Sequence, residues 1–231
     1  LKMLNKNKNF YFKRIDITQR SGLFNFFKKK KIDIIIHLAA QAGVRYSLIN
    51  PKKYVDVNIL GFLNIIELAK EKKIKKFIYA SSSSVYGENK KFPLSENQSL
   101  NPKNIYGLSK QMNEQIASMY SKFFDLKCIG LRFFTIYGEW GRPDMFLFKL
   151  FKASQQNKKF YLNNYGNHKR DFTYVKDAVK IVLKLVNYKN VNRWASEIHD
   201  RPAVKRGRRV NKAWGDEDSR VIERHDSSDL D

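Results

Sequence analysis

Short apolar segments alternate with helix-length segments along the first 190 residues of the chain. IDIIIHLA (32–39), KFIYASSS (76–83) and LKCIGLRFF (126–134) are apolar runs of strand length. Residues from about 52 to 72 and from about 105 to 124 instead show the apolar spacing of amphipathic helices. Strands that alternate with helices of this size indicate βαβ units and a parallel sheet. Ligands bind such sheets at the carboxyl ends of the strands.

The residues that follow each apolar run are small, hydroxyl-bearing or charged. LAAQAGVRYS follows the first run, SSSSVYG the second and TIYGEWGRPDM the third. The first of these segments has little side-chain bulk, so a flat cofactor has room to lie against its backbone. The second offers four serine hydroxyls, and the third contains Thr135 and Arg142. We expect the three strand ends to gather these groups in one crevice.

A tyrosine precedes a lysine by four positions at three places. These are Tyr86 and Lys90, Tyr106 and Lys110, and Tyr165 and Lys169. The first and third pairs span glycine and asparagine, which are typical of turns. Only Tyr106 and Lys110 enter a long amphipathic stretch, where positions four apart share a helical face. A neighbouring ammonium favours the phenolate, so this pair is a candidate general base with a lowered tyrosine pKa.

The net charge of +23 suggests a second class of function, a non-enzymatic basic protein that binds nucleic acid. The lysine runs at 28–31 and 70–76 flank apolar segments instead of stacking with aromatic residues. This placement favours solvated surface lysines and argues against a nucleic-acid partner. An anionic small substrate would account for part of the basic excess.

The chain offers no sequence signal for a membrane or for secretion. No stretch approaches 18 uninterrupted apolar residues, and the basic first residues are not followed by an apolar segment. Its one cysteine, Cys128, has no partner for an internal disulfide, which fits a cytoplasmic protein. Residues 191–231 contain nine basic and nine acidic side chains with little apolar periodicity. We expect this tail to be disordered, or unrelated to the domain through a frameshift or a chimeric gene.

The motifs HLAAQAGVRYS, YASSSSVYG, NPKNIYGLSK, GLRFFTIYGEWGRPDM and RDFTYVKDAV occur in this order along the chain. Together they resemble the extended short-chain dehydrogenase/reductase family of NAD-dependent epimerases and dehydratases, and within it the UDP-glucuronate 4-epimerases. The resemblance covers roughly residues 10–187. It implies an α/β fold, a Rossmann-type parallel sheet with helices on both faces. Residues 1–140 would form a partial NAD-binding domain with the catalytic residues, and 141–190 part of a small substrate-binding subdomain.

The resemblance also implies a role for each site residue. Tyr106 would take the proton from the sugar 4-hydroxyl, Lys110 would lower its pKa and hold the nicotinamide ribose, and Ser82 would hydrogen-bond the same oxygen. Substrate contacts would come from Ser83, Ser84, Thr135 and Arg142 at the carboxylate and from Arg170 at the UDP diphosphate. NAD would contact Asp16 and Ile17 near its adenine, Leu38, Ala39 and Ala40 along its length, and Asn58 near its ribose. No metal is expected.

The reaction that this resemblance implies is the NAD-dependent interconversion of UDP-glucuronate and UDP-galacturonate through a 4-keto intermediate. A sugar 4,6-dehydratase would typically have an Asp-Glu pair where this sequence has Ser83 and Ser84, which argues against dehydration. Decarboxylation of UDP-glucuronate shares the 4-keto intermediate and stays open as an alternative, as does the reaction of another nucleotide-sugar epimerase or dehydratase. Arg142 and the hydroxyls around it favour retention of the carboxylate. The intact parent would be a homodimer.

One element of the family pattern is missing from this sequence. A Rossmann domain opens with a strand, a glycine-rich turn and a helix, whereas the first glycine here is Gly22, alone in QRSGLFNF. The family would place its glycine-rich turn well before Asp16. We therefore expect an internal fragment of an epimerase, without the first βαβ unit and foreign after about residue 190. The activity of the parent and that of this chain are separate hypotheses, and an inactive fragment is one alternative.

Overall fold

Three parallel strands form the central sheet. The computed structural model describes residues 2–89, 92–162 and 171–187. The strand order is β1-β2-β3, with β1 at Ile34–His37, β2 at Lys76–Ala80 and β3 at Lys127–Leu131. A second sheet pairs β4, Thr135–Tyr137, in parallel with β5, Phe172–Tyr174. The expectation of parallel strands at the three apolar runs is confirmed.

Helices connect these strands. In the described ranges they are α1 (Arg20–Phe27), α2 (Val44–Ile49), α3 (Pro51–Tyr54), α4 (Gly61–Glu71), α5 (Ile105–Phe124), α6 (Phe146–Gln155) and α7 (Val175–Asn187). A π-helical segment, Val55–Leu60, joins α3 to α4, so the helix predicted over 52–72 is present as three consecutive pieces. Helix α5 has the predicted bounds. Asn104 caps it by accepting a hydrogen bond from the Gly107 N–H at 2.8 Å.

The central strand β2 is buried on both faces. Phe77 and Tyr79 point to one side, where they pack in a cluster with Phe62 of α4 and Ala117 of α5. Ile78 points to the other side and packs against the apolar face of α7. This alternation, with both faces covered, is what a parallel sheet between two layers of helices requires. The fold is therefore of the Rossmann type.

Lys76, the first residue of β2, ties the strand to α7. Its Nζ donates to the carbonyl oxygens of Leu185 at 2.5 Å and Val186 at 2.8 Å. These carbonyls lie in the last turn of α7, where backbone acceptors lack intrahelical partners and a positive charge is favourable. Burial lowers the pKa of Lys76. The ammonium thus compensates its desolvation by capping the helix.

Two lysines in the basic runs stack on aromatic rings, contrary to expectation. Lys30 Nζ lies 5.0 Å from the ring centre of Tyr11 and 4.7 Å from that of Phe26, and Lys70 Nζ lies 4.4 Å from that of Phe124. Tyr11 and Phe124 come from other parts of the chain, so sequence spacing gave no signal for them, whereas Phe26 precedes Lys30 by only four residues. Each of these lysines contacts an aromatic ring of this same chain, so the contacts by themselves do not indicate a nucleic-acid partner.

None of the helices in the described ranges combines the length and the apolar character that crossing a membrane requires.

We predict that Gly87→Ala destabilises the fold. Gly87 has φ +57°, and a Cβ there would lie 1.7 Å from the Asn101 carbonyl oxygen, in the segment that leads into α5. The expected loss is about 2 kcal/mol or more in the free energy of unfolding, measured by urea denaturation.

Gly22→Ala is the matched control, because a Cβ at Gly22 in α1 meets nothing within 4 Å. Alanine in an open helical position is expected to raise stability by about 0.5–1 kcal/mol. Equal effects of the two substitutions would contradict the close packing assigned to Gly87.

Candidate active site

The first turn of α5 packs directly on the serine run that follows β2. A Cβ at Gly107 would lie 2.6 Å from the Ser84 carbonyl oxygen, so this approach requires glycine. Tyr106, the preceding residue, consequently lies beside the serines. The Ser82 hydroxyl lies close enough to that of Tyr106 to favour the phenolate.

Ser82 is held rigidly at the end of β2. It is 7% exposed, and its Oγ accepts a hydrogen bond from the Ser84 N–H at 3.1 Å, which caps the short 3₁₀ turn Ser83–Val85. Ser83 and Ser84 themselves are half-buried in that turn. The structure therefore places all three predicted serine residues at one strand end, next to Tyr106.

The pKa of Tyr106 is raised, which corrects the expectation of a lowered value. Burial is the main cause and disfavours the phenolate, while the hydrogen bond with Ser82 and the charge of Arg142 act in the opposite direction. The cation that favours the phenolate in this structure is therefore Arg142. Lys110 directs its Nζ to the Ala80 carbonyl oxygen at 2.8 Å.

Lys110 shares the helix with Tyr106, one turn further on, as predicted. It is 3% exposed, and burial lowers its pKa to about 8. Its hydrogen bond to Ala80 fixes the ammonium at the last residue of β2. A buried cation at this strand end is available to an electron-rich or anionic group that enters the crevice.

Asn58, expected near the cofactor ribose, is buried in a network of hydrogen bonds within the protein. It is 1% exposed, and its side chain makes two hydrogen bonds with Gln41: Oδ1 accepts from the N–H at 2.7 Å and Nδ2 donates to the carbonyl at 3.0 Å. Nδ2 also contacts Ser109 Oγ at 3.0 Å, and Ser109 Oγ donates to the Tyr106 carbonyl at 2.8 Å. Asn58 thus connects the loop after β1 to the first turn of α5, with its amide committed to protein partners.

Five of the residues predicted to line the cofactor are at least partly exposed. Leu38 is 57% exposed, and Ala39 and Ala40 follow it at the carboxyl end of β1. Asp16 accepts hydrogen bonds from the Thr18 N–H at 2.9 Å and hydroxyl at 2.8 Å, which lower the pKa of its carboxyl. Ile17 packs against the core beside Gly61.

Thr135 and Arg142 share a shallow hollow with apolar side chains. Its lining includes Met145, Phe146, Phe148 and Phe172. The Arg142 guanidinium, 48% exposed, forms a forked ion pair with Asp144, with one Nε–Oδ1 contact of 2.9 Å and a second contact from Nη2 to Oδ2. A two-pronged contact with a carboxylate is the geometry for which guanidinium is suited.

Several predictions concern residues outside the described ranges. Arg170, predicted at the UDP diphosphate, is one of these residues, as is the tail 191–231. The division into 1–140 and 141–190 stays a prediction. In the described part of the chain, no three His, Cys, Asp or Glu side chains are grouped as metal ligands.

Two features of the site were not found from the sequence. Tyr54 lies edge-on to Tyr106, with ring centres 6.2 Å apart, and its hydroxyl donates to the Gly43 carbonyl at 2.5 Å. Glu114 and Arg132 form an ion pair near the serine run. For Glu114 a signal was available, since it follows Lys110 by one helical turn. For Arg132 the sequence gave no such signal, because its partner Glu114 lies on a different element.

A parallel sheet with serine, tyrosine and lysine gathered at one strand end is typical of nucleotide-dependent oxidoreductases and epimerases. The model of the NAD dependent epimerase/dehydratase family matches residues 2–194. The chain belongs to this family.

Individual relatives are similar over most of this chain. A probable UDP-glucuronate 4-epimerase of Rhizobium meliloti is 42% identical over 170 residues, 73% of this chain and 50% of the relative. Protein CapI of Staphylococcus aureus is 45% identical over 187 residues, 80% of this chain and 56% of the relative. The crystal structure of UDP-glucuronic acid 4-epimerase from Bacillus cereus, in complex with UDP-glucuronic acid and NAD, superimposes with a TM-score of 0.74. It shows 35% identity and covers 82% of this chain and 59% of its own. The chain spans about half the length of the curated relatives it matches.

We predict that Lys110 makes stability depend on pH above neutrality. Because its pKa is about 8 in the folded chain and 10.5 for the free side chain, the unfolded chain holds the extra proton between these values. The free energy of unfolding should therefore rise with pH across this window, by up to about 3 kcal/mol. Urea denaturation at pH 7.5–10 measures the slope.

Lys110→Met should flatten this slope, whereas Lys52→Met at an exposed position should leave it unchanged. The Lys76 ammonium, whose pKa is also lowered, is present in both variants and cancels in the comparison. An identical slope in wild type and Lys110→Met would show that Lys110 is not desolvated as described.

Proposed function

We propose that this chain carries the catalytic residues of an NAD-dependent nucleotide-sugar 4-epimerase whose substrate is UDP-glucuronate. One juxtaposition carries the proposal. A Cβ at Gly43 would lie 3.9 Å from Arg142 Nη2 and 3.7 Å from the Tyr54 hydroxyl, and the Tyr54 ring centre lies 6.2 Å from that of Tyr106. The Arg142 cation and the Tyr106 hydroxyl therefore lie on either side of Tyr54, and the charge of Arg142 partly offsets the effect of burial on Tyr106. A sugar with a carboxylate on C5 would place that group at Arg142 while its 4-hydroxyl meets Tyr106.

The hydroxyl pair performs the proton transfer in this proposal. Tyr106 accepts the proton from the sugar 4-hydroxyl and returns it to the same oxygen after the hydride has come back. Ser82 hydrogen-bonds both Tyr106 and that oxygen, so it keeps the two oxygens in line. Because burial disfavours the phenolate, Ser82 and Arg142 must supply the stabilisation that makes Tyr106 a base.

The residues at the carboxyl ends of β1 and β2 fit an NAD cofactor. Ala39 and Ala40 leave the backbone open to a flat group, and the Lys110 ammonium lies at the end of β2, on the helix that carries Tyr106. Asp16 and Ile17 would hold the adenine end. Bound NAD would supply the acceptor and donor of hydride. The chain itself orients the sugar and moves its proton.

The carboxylate site supports epimerisation over decarboxylation. Ser83, Ser84 and Thr135 would offer hydroxyl donors, and Arg142 would offer the forked guanidinium now paired with Asp144. A carboxylate held by charge and several hydrogen bonds is stabilised as the anion, which disfavours loss of CO₂ from the 4-keto intermediate. Arg170 would contact the diphosphate.

A homodimer is part of the proposal. One side of α5 carries three exposed apolar side chains: Leu108 (44% exposed), Met119 (53%) and Phe123 (64%). A stripe of this kind on the surface of a long helix is suited to pairing with the same helix of a second copy.

We expect UDP-glucuronate to raise the thermal unfolding midpoint of the chain, since a ligand that binds only the folded state stabilises it. At 100 times its Kd the expected stabilisation is about 2.7 kcal/mol. Arg142→Ala should abolish the shift. NAD is tested alone and together with the nucleotide sugar, and formation of UDP-galacturonate is followed by chromatography.

Arg20→Ala is the matched control, because the Arg20 guanidinium lies 4.1 Å above the Phe24 ring centre in α1, on an element outside the site. It should retain the full ligand response. No shift with UDP-glucuronate, or an equal shift in Arg142→Ala, would refute the proposed substrate. Salt-sensitive retention of DNA that survives Tyr106→Phe would favour the nucleic-acid alternative.

A further inference from the structure

A half-hidden ion pair joins α5 to the segment after β3, beside the serine run. Arg132 Nε donates to Glu114 Oε1 at 2.9 Å and Nη2 to Oε2 at 2.8 Å, with side chains only 19% and 16% exposed. The carboxylate raises the pKa of Arg132, so the guanidinium stays charged. Both groups lose hydration here, and the forked geometry compensates for the loss.

The same carboxylate holds the residue before Ser82. Ser81 Oγ donates to Glu114 Oε1 at 2.5 Å, and Ser81 is 3% exposed. Its backbone N–H donates to the Leu131 carbonyl at 2.8 Å, and that of Ser83 to the Phe133 carbonyl at 2.9 Å. Ser82 therefore lies between two residues whose backbones are bonded to either side of Arg132.

Arg132 also secures the loop that follows the serines. Its Nη1 donates to the Tyr86 hydroxyl and to the Glu96 carbonyl, both at 3.1 Å. The guanidinium carbon lies 4.9 Å from the Tyr86 ring centre. With these bonds and the fork to Glu114, every nitrogen of the guanidinium has a protein partner. This use of all three nitrogens is typical of a structural clamp and leaves no nitrogen reserved for a ligand.

We propose that Glu114 and Arg132 are positioning residues that hold the Ser82 hydroxyl against Tyr106. Glu114 lies two helical turns after Tyr106 on the same helix, so α5 carries both the base and the anchor of its hydrogen-bond partner. The distance between Ser82 and Tyr106 is thereby set by one rigid helix and one ion pair. The role given to Tyr106 rests on the proposed function, whereas the positioning itself does not.

The test measures the titration of Tyr106 in the full chain without any ligand. 3-Fluorotyrosine is placed at position 106, and its ¹⁹F shift is followed against pH. Ser81→Ala removes the link between Glu114 and the serine run. The groups that face Tyr106, namely Ser82, Arg142, Tyr54 and Lys110, remain in place. If Ser82 loses its alignment, the phenolate fraction at a given pH should fall about fivefold, the value of one hydrogen bond of about 1 kcal/mol.

Ser121→Ala is the matched control, since Ser121 Oγ donates to the Leu126 carbonyl at 2.7 Å at the far end of α5. It should reduce stability without moving the titration. Arg132→Lys, which keeps the charge but loses the fork, should move it in the same direction as Ser81→Ala. Ser82→Ala removes the hydroxyl itself, so it should lower the phenolate fraction of residue 106 more than the other substitutions.

The proposal is overturned if Ser81→Ala and Arg132→Lys lower stability while Tyr106 titrates as in the wild type. It is also overturned if Ser82→Ala leaves the titration of Tyr106 unchanged, because the position of the Ser82 hydroxyl would then have no effect on Tyr106. A shifted titration in a chain that fails to bind UDP-glucuronate would refute the proposed substrate and leave the positioning role supported.

Discussion

Burial of β2 on both faces is the constraint on which the rest of the structure depends. Phe77 and Tyr79 require cover on one side, and Ile78 requires it on the other. Helices α4 and α5 cover Phe77 and Tyr79, and α7 covers Ile78. Because α5 packs along β2 and β3, its first turn arrives at the carboxyl end of β2, where Gly107 lets it touch Ser84. The geometry of the candidate site is thus a consequence of how the core is covered.

The same burial creates the electrostatics of the site. Removing Tyr106 and Lys110 from water raises the pKa of the phenol and lowers that of the ammonium, so each group favours its neutral form. Hydrogen bonds and charges from neighbours oppose this effect, through Ser82 and Arg142 at the phenol. Glu114 and Arg132 respond to burial differently. Both stay charged, because each ion stabilises the other across the ion pair. In the proposed epimerase, the ability of Tyr106 to act as a base would therefore depend on these neighbours as much as on Tyr106 itself.

The strand and helix pattern allowed much of the fold to be predicted. Apolar runs marked β1, β2 and β3, and α5 was predicted with its observed bounds because its cap, apolar spacing and length are local signals. The association of Ser82 with Tyr106 followed from the strand-end rule and the family resemblance. The hydrogen bonds of Asn58 and the contact of Lys30 with Tyr11 were not predicted, because the partners Gln41, Ser109 and Tyr11 are separated from them by other elements.

The sequence by itself determined the order of β1, β2, α5 and β3, the helical face shared by Tyr106 and Lys110, and the residues that end β1 and β2, whereas β3 ends at Leu131 and Thr135 begins β4. These depend on backbone periodicity and on contacts within a few residues. Only the tertiary structure decided the sign of the Tyr106 pKa shift, the commitment of Asn58 to the loop after β1, and the bond from Ser81 to Glu114. Desolvation and hydrogen-bond pairing depend on which distant segments of the chain come into contact, and a local sequence pattern does not contain that information.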